Sequence, residues 1–121
     1  MRIIEAIKKI DTLKHNTYGQ PEKIEWLSVL DGKVKEMMDA YEGDPVEFFG
    51  YNEHTDLDTV LLIPEPYTEV YLRWLEAQID YYNGEYKKYN NAILMYNAEW
   101  KSFVRWYNRT HMPKGHNIKY F

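Results

Sequence analysis

The sequence predicts a mainly α domain: two shorter helices, a small β-hairpin-like arm at about 46–63, one long C-terminal helix, and a tail over 112–121. Three observations predict it. An apolar seam runs through Leu72, Leu75, Ile79, Tyr82, Tyr86, Tyr89, Ile93, Tyr96, Trp100, Phe103 and Tyr107, alternating steps of three and four. That is a 3.5-residue period, the mark of one stripe on a helix. Nearer the N-terminus, Ile3, Ile7 and Ile10, and then Ile24, Leu27, Leu30, Val34, Met37 and Tyr41, repeat with helical spacing. Between these regions Pro45, Gly50, Pro64 and Pro66 forbid a long helix, and Thr59-Val60-Leu61-Leu62-Ile63 reads as a short buried strand.

The elements follow in chain order. Residues 2–14 form a short amphipathic helix, with Ala6 and Leu13 beside its isoleucines and Lys8, Lys9 and Lys14 outward. A helix this short is marginal alone and must dock on something. Asn16-Thr17-Tyr18-Gly19 makes a turn, and Gln20-Pro21-Glu22 opens the second helix, with Trp26 near its stripe. Asp31-Gly32 interrupts that stripe; a glycine inside a helix costs about 1 kcal/mol against alanine, so a soft point is expected there. Gly43-Asp44-Pro45 ends the helix. In the arm, Phe48-Phe49 is placed to pair with 59–63 across a loop from Gly50 to Asp58. Two strands are only marginally stable by themselves, so the arm must pack on the helices or on another subunit.

Pro66 suits the first turn of the long helix, where its missing N–H costs nothing, and Met112-Pro113-Lys114-Gly115 is a stop signal. Gly84 lies mid-pattern, but the phase survives it, which reads as a weak spot or mild kink. An αα-hairpin turning at Asn83-Gly84 is the competing reading. Tyr-Asn recurs at 82–83, 89–90 and 96–97. Such rings fit poorly into the holes of a two-stranded coiled coil and suit a helix packed on other helices, with each hydroxyl reaching an edge. Core packing therefore accounts for the seam better than a ligand-binding aromatic ladder.

At 121 residues the chain is one domain, 1–121. Its net charge of −4 argues against non-specific DNA binding as its main task. It has no cysteine, which excludes disulfides, thiolate catalysis and zinc–thiolate sites. The start has no apolar core of signal-peptide length, and the run Val60 to Ile63 is far too short to span a bilayer. Residence in a cytoplasm, away from membranes, is the expectation.

No catalytic, cofactor-binding or metal-binding residue is expected, and no enzymatic activity. His54-x-Asp56-x-Asp58 offers donors at alternate positions but lacks the glycine and terminal glutamate of an EF-hand loop. His111 and His116 have no third ligand nearby in sequence. Asp80 and Glu85 near the seam are the kind of carboxylate pair that helices commonly carry. Charge is divided along the chain. Glu42, Asp44, Glu47, Glu53, Asp56, Asp58, Glu65 and Glu69 fall in a stretch with no Lys or Arg; Lys101, Arg105, Arg109, Lys114 and Lys119 fall in one with no Asp or Glu. Helix dipoles explain part of this, but the acidic run begins well before the long helix starts.

Several segments resemble a phage protein family. They are Trp26-Leu27-Ser28-x-Leu30-Asp31-Gly32; Gly50-Tyr51 with Thr55-Asp56-Leu57-Asp58-Thr59; Leu61-Leu62-Ile63-Pro64-x-Pro66-Tyr67; Trp74-Leu75-Glu76-Ala77-Gln78-Ile79-Asp80-Tyr81; Gly84-Glu85; Tyr89-Asn90-Asn91; and Tyr107-Asn108-Arg109-Thr110-His111-Met112-Pro113. They are similar to small head–tail connector (adaptor) proteins of tailed phages and prophages of Gram-positive bacteria, over nearly the whole chain. The resemblance implies a virion structural protein of the neck, with no catalytic residues. The partners it implies are further copies of itself in a dodecameric head-to-tail ring, the portal protein, tail-side neck proteins and, transiently, packaged DNA. It implies the host cytoplasm before assembly. An uninterrupted helix of some 44 residues would be roughly 65 Å long, more than one such domain covers, which also points to neighbours. The alternative reading is a cytoplasmic helical protein-interaction module. On the ring reading, Arg105, Arg109 and Lys114 of one subunit are expected to face the 44–58 loop of the next.

Overall fold

The structure, a computed structural model, describes residues 1–43 and 45–114. It is mainly helical: α1 (Ile3–Leu13), α2 (Gln20–Asp39), α3 (Glu69–Tyr82) and α4 (Tyr86–Thr110). Helix α3 is the hub. It packs against each of the other three, and α1 also meets α2; α4 approaches α3 most closely along its backbone and is also touched by side chains from α2 and the turn before α3. No helix among the described residues is long and apolar enough to cross a membrane.

The N-terminal stripes bury as their spacing requires. Ile3, Ala6, Ile7 and Ile10 of α1 are in the core, as are Ile24, Leu27, Leu30 and Val34 of α2. Leu13, expected beside the α1 stripe, is 69% exposed. Helix α2 runs unbroken through Asp31-Gly32. The carboxylate that breaks the stripe on paper is itself fully buried.

The C-terminal region contains a long helix, the 25 residues of α4, but the seam from 72 to 107 is divided between two helices. The chain folds back at Asn83-Gly84-Glu85. The Gly84 N–H donates to the Tyr81 carbonyl at 3.0 Å and the Glu85 N–H to the Asp80 carbonyl at 2.9 Å. These two bonds form a Schellman motif, with Gly84 as the left-handed residue at φ +74°. Ring contacts place α3 and α4 antiparallel: Tyr81 on Tyr89 at 5.4 Å, Trp74 on Tyr96 at 5.2 Å, Tyr67 on Phe103 at 6.1 Å. The hairpin reading thus replaces continuity through Gly84, because each half of the seam finds its partner in the other half. Tyr82 and Tyr86 sit at the tip and are 58% and 62% exposed. Any side chain at Gly84 must take a conformation that costs L-residues about 1–2 kcal/mol. Gly84→Ala is expected to lower stability by about 1 kcal/mol, read from urea denaturation.

The β-hairpin-like arm expected at about 46–63 does not form. Among the described residues there are two isolated bridges, Arg2 with Val60 and Tyr41 with Pro113, and no sheet. The backbone groups of 57–63 are taken by other partners. Ile3 and Ile4 N–H donate to the carbonyls of Thr59 and Leu57, and Leu61 N–H donates to that of Met1. The Asp58 and Thr59 amides bond Asp56 within the loop, and two turn inward, Leu62 to Asp31 and Ile63 to the Tyr71 hydroxyl. Phe49, the expected strand partner, is 94% exposed. Pro66 lies in the turn before α3 rather than in its first helical turn, since the helix begins at Glu69. At the other end His111 caps α4, close to the expected stop.

Candidate functional site

Two surfaces of opposite charge stand on different elements. The first is the outward side of α4. Its inward stripe, Ala92, Tyr96, Phe103 and Tyr107, is buried. Lys101, Arg105 and Arg109 follow at four-residue steps on the far side, all exposed. None of the three forms an ion pair with a described residue. Leu94 is 66% exposed on the same side, and Trp100, Lys101, Val104 and Arg105 line an open depression of about 390 Å³. One edge of the helix is fastened from α2: the Lys33 ammonium lies 5.3 Å from the Trp100 ring centre and 5.8 Å from that of Tyr96. Burial pushes the Tyr96 hydroxyl pKa up to about 12, so it stays protonated at neutral pH.

The second surface is the loop after α2. Glu47, Glu53 and Asp56 are exposed on it, beside Phe49. The loop is tied down from beneath. Tyr51 donates its N–H to Ser28 Oγ at 2.9 Å and its hydroxyl to Asp31 Oδ2 at 2.6 Å. Leu62 N–H reaches the same carboxylate oxygen at 3.1 Å. On the other side Tyr71 donates to Asp31 Oδ1 at 2.6 Å while accepting from Ile63 N–H at 2.6 Å. Asp31 is thus a buried node joining α2, the loop and α3. Burial raises the pKa of its carboxyl, and its three hydrogen bonds oppose that rise. Burial beside Asp31 also raises both tyrosine pKa values. The arrangement is structural: the carboxylate accepts from two loop residues and one on α3, and Asp31 is fully buried.

The residues weighed for metal or acid–base work fall into other roles. Asp58 pairs with Arg2 at 2.8 Å, Asp56 accepts the Asp58 N–H at 2.9 Å, and His54 is exposed next to Glu53. Asp80 lies 2.6 Å from the Lys14 ammonium, off hydrogen-bonding angles, so the contact is an ion pair only; Glu85 meets Lys88 at 3.4 Å. His111 stacks on Tyr107 with planes 3° apart. Among the described residues no three His, Asp or Glu side chains converge as a metal site would require. Asp44, His116 and Lys119 lie outside the described residues. The Lys114 backbone is tied to the end of α2, its N–H donating to the Ala40 carbonyl and the Glu42 N–H to that of Met112, while the Lys114 side chain is exposed. No family model, curated protein or solved structure matches the chain.

Proposed function

We propose that the chain is a virion structural protein, a neck-ring subunit joining portal and capsid to tail in a tailed phage or prophage. The observation that carries this reading is the separation of charge. A basic, partly apolar face on α4 and an acidic loop after α2 share one subunit, yet among the described residues no ion pair joins them. A two-fold contact centred on either surface would oppose like charges. A head-to-tail contact joins unlike ones and, with a closing rotation, makes a ring. Arg105, Arg109 and Lys114, all with exposed side chains, would then meet the 44–58 loop of the neighbour. Exposed pairs contribute about 0–1 kcal/mol each, so they set orientation while Leu94, Trp100, Val104 and Phe49 supply buried area. The segments that resemble connector proteins support the same reading. The portal and tail-side neck proteins are the flanking partners on this reading, and packaged DNA passes through the ring.

Deleting the gene is expected to yield DNA-filled heads and free tails by electron microscopy. Arg105→Glu with Arg109→Glu should reproduce that phenotype while leaving the melting temperature of the purified chain within a degree or so, since both side chains are exposed. Joined, infectious particles from the deletion would overturn the reading and favour the interaction-module alternative.

A further inference from the structure

The most voluminous cleft among those described, about 500 Å³, opens between α2 and α3. Trp26 and Tyr82 stack within it, ring centres 5.6 Å apart and planes 12° from parallel. Tyr18 stands edge-on to Trp26 at 5.4 Å. Hydrogen bonds hold the rings in place. The Tyr18 hydroxyl donates to Asn83 Oδ1 at 2.9 Å, and Trp74 Nε1 donates to the Trp26 carbonyl at 2.8 Å. The Lys23 ammonium, itself buried, grips the Tyr18 carbonyl at 2.7 Å and Asp11 at 2.6 Å.

The same cleft carries two carboxylates, Glu22 and Glu25, one helical turn apart on α2. Both are exposed, and neither forms an ion pair with a described residue. Every other ionisable side chain facing this cleft is absent or neutral, because its remaining polar lining is Gln78 and the tyrosine hydroxyls. A pre-set aromatic surface with uncompensated negative charge at its rim calls for a flat cation with an apolar stem. Guanidinium meets that description better than ammonium. It is planar, stacks on aromatic faces, and bonds a carboxylate through two parallel N–H groups. Val29, 54% exposed at the cleft, offers an apolar contact beside the cation, which suits a side chain borne on a peptide rather than a small free ion.

We propose that this cleft is a docking site for an arginine-bearing segment of a partner protein, its guanidinium lying against the exposed Tyr82 ring, which Trp26 backs from beneath, and paired to Glu22 and Glu25. The inference is independent of the ring contact, which uses other surfaces.

The test is a titration of the full chain followed by ¹H–¹⁵N spectroscopy, in which each of the four tryptophans gives one indole N–H signal. The probe is the blocked peptide acetyl-Ala-Leu-Arg-Leu-Ala-amide; the control replaces arginine with citrulline, its neutral counterpart of the same shape. Saturable shifts at Trp26 and Trp74, with Trp100 and Trp106 unmoved, are expected for the arginine peptide. The citrulline peptide should bind roughly tenfold more weakly, as loss of one cation–carboxylate and cation–ring contact implies. Glu22→Gln with Glu25→Gln should weaken the arginine peptide by a similar factor, and because both residues are exposed the fold should persist, checked by the remaining spectrum. Equal binding of the two peptides, unchanged binding by the double variant, or no shift at Trp26 and Trp74 at millimolar peptide would overturn the proposal. So would shifts at those two signals that depend on protein concentration without peptide, which would make a second copy the occupant.

Discussion

Asp31→Ala is expected to destabilise the chain by about 3–5 kcal/mol, among the largest effects available to a single polar substitution here. Asp31 is fully buried and accepts from the Tyr51 hydroxyl, the Tyr71 hydroxyl and the Leu62 amide. Removing it orphans three donors at once, the Tyr71 hydroxyl fully buried and the other two half-buried, and each buried donor left without a partner costs about 1–3 kcal/mol. The loop would lose its inner anchor, and Ile63 N–H would keep only a Tyr71 hydroxyl that no longer has an acceptor for its own proton. Tyr71→Phe, which deletes one hydroxyl from the same network, should cost about 2 kcal/mol. Urea denaturation followed by circular dichroism measures all three proteins. The pH dependence has a definite sign. The native carboxyl has a raised pKa, so the native state holds its proton more tightly than the unfolded chain does. Its stabilising contribution is fully present below the unfolded value, near 3.8, and is lost as pH rises through the native value. Asp31→Asn should flatten the stability profile over that window.

Phe103→Ala should cost about 3–5 kcal/mol, the range for aromatic truncation in a packed core. Phe103 is fully buried, with the rings of Tyr67, Trp100, Trp106 and Tyr107 all centred within 6.2 Å of its own. Tyr86→Ala, one seam position that lies at the hairpin tip, should change stability by no more than about 0.5 kcal/mol. The contrast separates the folded-back arrangement from a continuous helix, on which both residues would line the same buried stripe. Thermal or urea melts of the two variants measure it; equal losses would contradict the hairpin.

Periodicity placed α1 to within a residue and α2 at its start, since their apolar faces recur at helical spacing and each had one core to face; α2 ends at Asp39, before the expected Gly43-Asp44-Pro45 stop. It could not separate one long helix from a hairpin. An antiparallel pair places both seam halves inward, so Leu75 and Phe103 keep the same phase whether or not the chain turns at Gly84. The turn was legible in Asn83-Gly84, a pair suited to a helix C-cap and a left-handed residue. The fold-back also removes one ground for neighbours, because the 25 residues of α4 span only about 38 Å. Asp31 was misread as an interruption because its partners, Tyr51 and Tyr71, lie 20 and 40 residues away, and no local pattern announces a buried carboxylate. The strand expected at 59–63 failed for a related reason: its burial was right for Leu61 and Ile63, but its amides found α1, Asp31 and Tyr71 rather than a second strand. The charge division was legible throughout, while its separation onto α4 and the α2–α3 loop needed the fold.

Carbodiimide cross-linking of assembled particles is the most direct test of head-to-tail assembly, because the reagent joins amines to carboxylates only when they already touch. Particles built from mixed ¹⁴N and ¹⁵N chains distinguish links between subunits from links within one. Links from Lys101 of one subunit to Glu47 or Glu53 of another are expected. Their absence, with a lysine–lysine reagent joining Lys101 to Lys101 as the sole contact between subunits, would contradict the account.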